Sequence, residues 1–291
     1  MRDRLYRAQP LTAISRNRSW KRVDHYFIQK KIRLMKSLSA YAAVLIVAFL
    51  FGNLVRPVLT VNHRPEQETR VSVPLGQMSE VTLYDGTEVW LNSGTTLRYT
   101  ADFGAKDRTV NLDGEAFFKV KHSNIPFRVK LRNSEIEVMG TSFNVVSYPE
   151  ERLSTVTLVE GSVRINNSDG KEMLTMTPSQ QAVIPGNPEN IQVSTVNPAF
   201  FHSWTEGKIV FEEERLADVA VQLERWYNVE IGFKGKDVAD LRFTGTILKN
   251  KPIDQSIRAF QLLLPVEIVY RNHMQEKDKI TISKQDAPME H

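Results

Sequence analysis

The sequence predicts a single transmembrane helix, then a mostly β domain of sandwich or solenoid-like type, then a small C-terminal α+β domain with two βαβ-like halves. Three observations carry this reading. An uncharged apolar run occupies residues 38–55, short alternating segments separated by turn residues fill 71–197, and helical periodicity outside the apolar run appears only beyond Pro198.

The apolar run, LSAYAAVLIVAFLFGNLV, has 18 residues. As a helix it measures roughly 27 Å, close to the hydrocarbon thickness of a bilayer. Its flanks differ in charge. Residues 1–37 hold eleven Lys or Arg against Asp3 and Asp24, a net of +9, so that 27 basic and 32 acidic residues, a net of −5, remain beyond them. Lys30, Lys31, Arg33 and Lys36 precede the run directly, whereas Arg56 is the one basic residue between it and Arg64. This asymmetry predicts a cytoplasmic N-terminus and an external C-terminal region of 236 residues. A cleaved signal peptide fits poorly, because the basic region is too long and no small-residue cleavage site follows. The basic segment also carries Trp20, Val23, Phe27 and Leu34, a crude amphipathic stripe suited to a partner helix or, the favoured reading, to anionic lipid, and its position before the span explains its charge without nucleic acid.

Residues 56–70 read as a polar linker. From Val71 the segments VTLYDGTEVWLN, RTVNLDGEAFFKV, FRVKLRNSEIEVMG and STVTLVEGSVRIN alternate as half-buried strands do, and the Asp85-Gly86, Asp113-Gly114, Glu160-Gly161 and Asp169-Gly170 pairs are expected to form tight turns. The β-rich domain is placed at 71–197. Beyond it, Leu216, Val219, Ala220, Leu223 and Trp226 line one face of a helix flanked by KIVFEE and NVEIGF. A second strand–helix–strand set has Ile253, Ile257, Phe260 and Leu264 on one helical face, with Pro252 in its first turn. These two halves form the domain placed at 204–284.

Chemistry-bearing motifs are scarce. The chain has no cysteine, and its six histidines (His25, His63, His122, His202, His273 and His291) show no metal-ligand spacing. Gly140–Asn144 fails the GxSxG nucleophile pattern at its last position, and no phosphate-binding glycine loop is present. Glu115 and Glu160 are the one imaginable glycosidase pair, but carboxylates beside turn glycines are read as solvated turn positions. Trp90, Phe117, Phe118, Phe127 and Phe143 are read as core. No catalytic, cofactor-binding or metal-binding residue is expected, and no cofactor.

The blocks VPLGQMSEVTLYDGTEVWLNSGTTLRY, FGAKDRTVNLDGEAFFKV, PFRVKLRNSEIEVMGTSFNVVSY and VTLVEGSVRI, in this order, resemble the periplasmic region of FecR-type anti-sigma factors of the Bacteroidetes branch. The matching positions are Pro74, Gly76, Asp85, Gly86, Trp90, Leu91 and Asn92; Gly114, Glu115, Ala116 and Phe117; and Pro126, Phe127, Gly140, Thr141, Phe143, Asn144 and Val145. Leu223, Trp226 and Tyr227 fall in a region similar to the STN-like domain that follows in that branch. The resemblance implies a single-pass inner-membrane regulator that relays a signal from an outer-membrane TonB-dependent transporter to an ECF sigma factor, controlling transcription of nutrient-uptake genes. It implies as partners the sigma factor, the transporter's periplasmic signalling domain and the inner membrane, without direct nucleic-acid contact. The partner-binding residues are expected within 204–284. Within residues 1–37, the segment SWKRVDHYFIQKK resembles just the last part of the family's cytoplasmic anti-sigma domain. The alternative reading of the same layout is a membrane-tethered periplasmic glycan-binding or scaffold protein; a glycan-processing enzyme would need Glu115 and Glu160 to converge.

Overall fold

The computed structural model describes residues 35, 42–51, 68–105, 107–186, 190–272 and 277–285. The chain divides into two compact units, 1–65 and 66–291.

In the first unit, residues 42–51 are helical, and Val44, Leu45, Ile46, Val47, Phe49, Leu50 and Phe51 are all exposed. The remaining positions of 38–55 lie outside the described residues, as do the amphipathic stripe and most of the linker. Among the described residues no helix is long and apolar enough to cross a membrane.

The second unit begins with thirteen strands in one hydrogen-bonded network. They are β1 (Glu68–Ser72), β2 (Ser79–Thr82), β3 (Glu88–Leu91), β4 (Thr96–Thr100), β5 (Arg108–Lys119), β6 (Phe127–Lys130), β7 (Ser134–Val138), β8 (Ser142–Ser147), β9 (Leu153–Glu160), β10 (Val163–Asn167), β11 (Glu172–Met176), β12 (Gln180–Pro185) and β13 (Gln192–Thr195). The first strand opens at Glu68, inside the stretch read as linker.

The 12-residue β5 curls this network. Its first half pairs with β4 and, in parallel, with β6; its second half pairs with β3 and β8. Two half-sheets thus share one strand. The first runs β1–β4–β5–β6–β7–β10–β11 and the second β2–β3–β5–β8–β9–β12–β13. Alternation along each strand sends one set of side chains between the halves. Phe118 of the second half stacks on Phe143 at 5.2 Å and meets Phe127 of the first half at 5.8 Å. Three of the five aromatics read as core lie here; Trp90 and Phe117 point from the opposite face of the second half-sheet and pack with the C-terminal elements.

The Asp113-Gly114 pair is not a turn. Both residues sit inside β5, where the strand passes from one half-sheet to the other. Gly114 has φ +124°, and a Cβ there would lie 2.7 Å from the Thr95 Cα. A glycine is what lets the strand bend at this close approach. By contrast, Gly86, Gly161 and Gly170 fall between strands with positive φ, as expected.

The C-terminal elements are α1 (Pro198–His202), a 3-10 turn at Ser203–Glu206, β14 (Lys208–Arg215), α2 (Leu216–Tyr227), β15 (Glu230–Lys234), α3 (Lys236–Ala239), β16 (Arg242–Leu248), α4 (Ile253–Leu263), β17 (Val266–Arg271) and β18 (Lys279–Lys284). The expected stripe of α2 is buried in full, and the helix ends at Asn228 in the left-handed conformation suited to a C-cap. Ile253, Ile257 and Phe260 of α4 are likewise buried. The strand–helix–strand order occurs twice, but neither set is a βαβ unit in its pairing. β14 pairs antiparallel with β16, the first strand of the other set, while β15 and β17 flank β18, parallel and antiparallel to it. Periodicity fixes what each segment becomes; pairing depends on which hydrophobic faces meet.

Candidate functional site

The outer face of the second half-sheet is where the C-terminal elements dock. Strand alternation turns Trp90, Glu115, Phe117 and Asn144 toward this face, while their neighbours Val89, Leu91, Ala116, Phe118, Phe143 and Val145 fill the β core. Against the face lie Trp204 of the 3-10 turn and Trp226 of α2, 4% and 2% exposed. His202 stacks on Phe117 at 5.2 Å.

At the centre is a polar clamp. The Trp226 indole N–H donates to Asn92 Oδ1 at 3.0 Å and the Trp204 indole N–H to Asn144 Oδ1 at 3.2 Å. The amide nitrogens of the same asparagines donate to the two oxygens of Glu115, at 2.7 Å from Asn92 and 3.0 Å from Asn144. An indole can only donate, so it fixes which end of each amide faces it, and the amide N–H groups are thereby aimed at Glu115. Both carboxylate oxygens must accept. Burial pushes the Glu115 carboxyl above its ordinary range, while the Asn144 and Asn92 amides and the charge of Arg225 draw it back.

Arg225 closes the rim. Its guanidinium lies 3.6 Å from the Tyr148 ring centroid and pairs with Glu151, and its carbonyl accepts from Gly76 N at 2.9 Å. Tyr148 donates its hydroxyl to the Ser93 carbonyl at 2.8 Å. Beside the clamp opens a cleft of about 870 Å³, lined by Glu115, Trp204, Trp226, the edge of β14 and the outer flank of α2.

Glu115 is therefore no solvated turn position; it is an interior acceptor. Glu160 is exposed at its turn and takes no part in the cleft. The glycosidase pair does not converge. Among the described residues no group of His, Asp or Glu could hold a metal ion. Alternation signals that Asn92, Glu115 and Asn144 share a face, but no local pattern shows that two tryptophans 60 and 134 residues away cover it.

Two expected results arise here. Replacing Glu115 by glutamine sets an NH2 group against an asparagine NH2 group. A cost of about 1–3 kcal/mol is expected from urea unfolding, since one donor loses its acceptor inside the junction. The second concerns Lys249, whose Nζ donates to the Trp226 carbonyl at 2.7 Å and sits 5.0 Å from its ring centroid. Desolvation pushes this lysine down to about 8 from 10.5. Below about 8 both folded and unfolded chains hold the proton; between about 8 and 10.5 only the unfolded chain does. Stability should rise with pH across that window, and the rise should shrink in a Lys249→Met variant followed by urea titration at several pH values.

The geometry defines a two-module protein in which a curled β scaffold holds a small α+β module in place. The family described as FecR protein matches residues 69–164, and that described as FecR, C-terminal matches residues 208–282. Two crystal structures of a candidate anti-sigma factor from Parabacteroides distasonis ATCC 8503 share the fold. One is 32% identical with a TM-score of 0.65, the other 31% identical with a TM-score of 0.64, and each alignment covers 75% of this chain and 100% of the other. No curated protein matches. The chain belongs to the FecR family of anti-sigma regulators.

Proposed function

We propose that this protein is a single-pass inner-membrane regulator, without catalysis of its own, that relays a signal from an outer-membrane TonB-dependent transporter to an ECF sigma factor. The observation that carries this reading is the ordered match to both FecR modules, downstream of a basic segment and an apolar run. Support for the span comes from the helix at 42–51, whose large apolar side chains are exposed. In this reading residues 1–37 lie in the cytoplasm, 56–291 lie in the periplasm, and the C-terminal module receives the transporter's signalling domain. The clamp transmits what that module receives to the β scaffold.

In-cell crosslinking of the full-length chain, followed by mass spectrometry, tests the partners. The expected result is a sigma factor crosslinked to residues 1–37 and a transporter signalling domain crosslinked to 204–284. Crosslinks to neither partner in induced cells would contradict the relay. Crosslinks to envelope glycan carriers alone would favour the tethered scaffold.

A further inference from the structure

The cleft beside the clamp is large, walled and acidic, and one wall is a strand edge. β14 and β16 form a two-stranded sheet, so the side of β14 away from β16 is an edge. Ile209, Val210, Phe211 and Glu212 all line the cleft, and four consecutive residues of a strand can do so only along its edge. Asp218, Val221, Gln222 and Arg225, at helical spacing, supply a single stripe of α2 beside it.

The charges of this lining are unbalanced. Five carboxyl groups, Glu115, Glu151, Glu212, Glu214 and Asp218, line it with two guanidinium groups, those of Arg152 and Arg225. Both Glu115 oxygens are taken by the asparagine amides and Asp218 pairs with Arg215 at 3.8 Å, which leaves Glu212 and Glu214 to meet a ligand. Arg225 is engaged by Glu151 and Tyr148. The cations that act on Glu214 are also engaged: Arg215 pairs with Asp240, and Arg242 donates to the Glu213 carbonyl. Two tryptophans and Phe211 add apolar wall. The volume of about 870 Å³ lies within the usual range of roughly 300–1,000 Å³ for binding pockets.

We propose that this cleft binds a basic, extended segment of a partner protein as an added strand on the edge of β14, with Glu212 and Glu214 selecting its Lys or Arg side chains. Backbone pairing along β14 supplies affinity that is indifferent to sequence, and the carboxylates supply the choice of partner. The β-bulge at Glu213, where φ is +50°, interrupts the strand between Phe211 and Glu214, so the added strand pairs along Lys208–Phe211, and the carboxylates beyond it turn away an acidic strand. The inference goes beyond the relay, since it needs neither a sigma factor nor a transporter.

The test is fluorescence anisotropy with the full-length chain in neutral detergent. The probe is a fluorescein-labelled nonapeptide of alternating Lys and Val; its counterparts carry Glu in place of Lys, or N-methyl groups on alternate amides. The Lys peptide should bind, and both counterparts should bind at least about tenfold more weakly. The variant E212K/E214K should lose the Lys peptide by a similar factor, and E212Q/E214Q by about threefold, with tryptophan fluorescence showing the junction intact in both. No binding of the Lys peptide up to roughly 1 mM, equal binding of the acidic or N-methylated peptide, or full binding by either variant would overturn the proposal. Failure here would leave the crosslinking outcome for the relay untouched.

Discussion

Replacing Trp226 by alanine should cost about 3–5 kcal/mol of unfolding free energy, the usual range for emptying a large aromatic site in a core. The side chain is 2% exposed, packs edge-on to Tyr227 with ring centroids 6.4 Å apart, and reaches Asn92 across 134 residues of sequence. Its loss removes buried area from the C-terminal module and one of the two N–H groups that donate to Asn92 Oδ1, the other being Ser93 N at 2.8 Å. The Ser93 N–H still holds the Asn92 amide toward Glu115, so the larger part of the cost is lost packing. Trp226→Phe separates the two effects, because it keeps most of the apolar area and removes the indole N–H; a cost of about 1 kcal/mol is expected. Urea unfolding followed by circular dichroism measures both. Equal costs for the two variants would mean that the clamp depends on its hydrogen bond far more than on packing.

A comparable loss, about 3–5 kcal/mol, is expected for Asp85→Ala in the β scaffold. Asp85 pairs with Arg108 at 3.1 Å, and their side chains are 8% and 2% exposed. Arg108 also donates to the carbonyls of Ile125 and Lys121, while Asp85 accepts from the backbone N–H and hydroxyl of Thr87. The carboxylate closes its own turn and neutralises a guanidinium at the start of the shared strand. Removing it leaves a buried charge without its counter-ion. The exposed pair Arg98–Asp113, with side chains 33% and 41% exposed, provides the contrast. Asp113→Ala should change stability by less than about 1 kcal/mol.

These two sites mark where the sequence was readable and where it was not. The stripe of Leu216, Val219, Ala220, Leu223 and Trp226 states plainly which face of a helix is buried, and the structure buries all five. Alternation along β3, β5 and β8 likewise separates two faces. It cannot say that the second face is also covered, which is why Glu115 resembles a solvated residue and is a clamp, and why Phe117 belongs with the C-terminal module. Arg108 reads as the polar start of a strand, yet it is among the largest fully buried side chains. Its partner is 23 residues away, and only the curl of β5 brings the two together. The pairing of β14 with β16 is hidden for the same reason: each helix period is local, but strand partnership is decided by the packed whole.

The most direct measurement is transcription in cells lacking the gene, compared with cells carrying it restored, with and without each nutrient of a panel. A regulator of the proposed kind predicts that one ECF sigma factor's promoters respond to one nutrient in restored cells and lose that response in the deletion. Promoter activity that tracks every nutrient identically in both strains would contradict it.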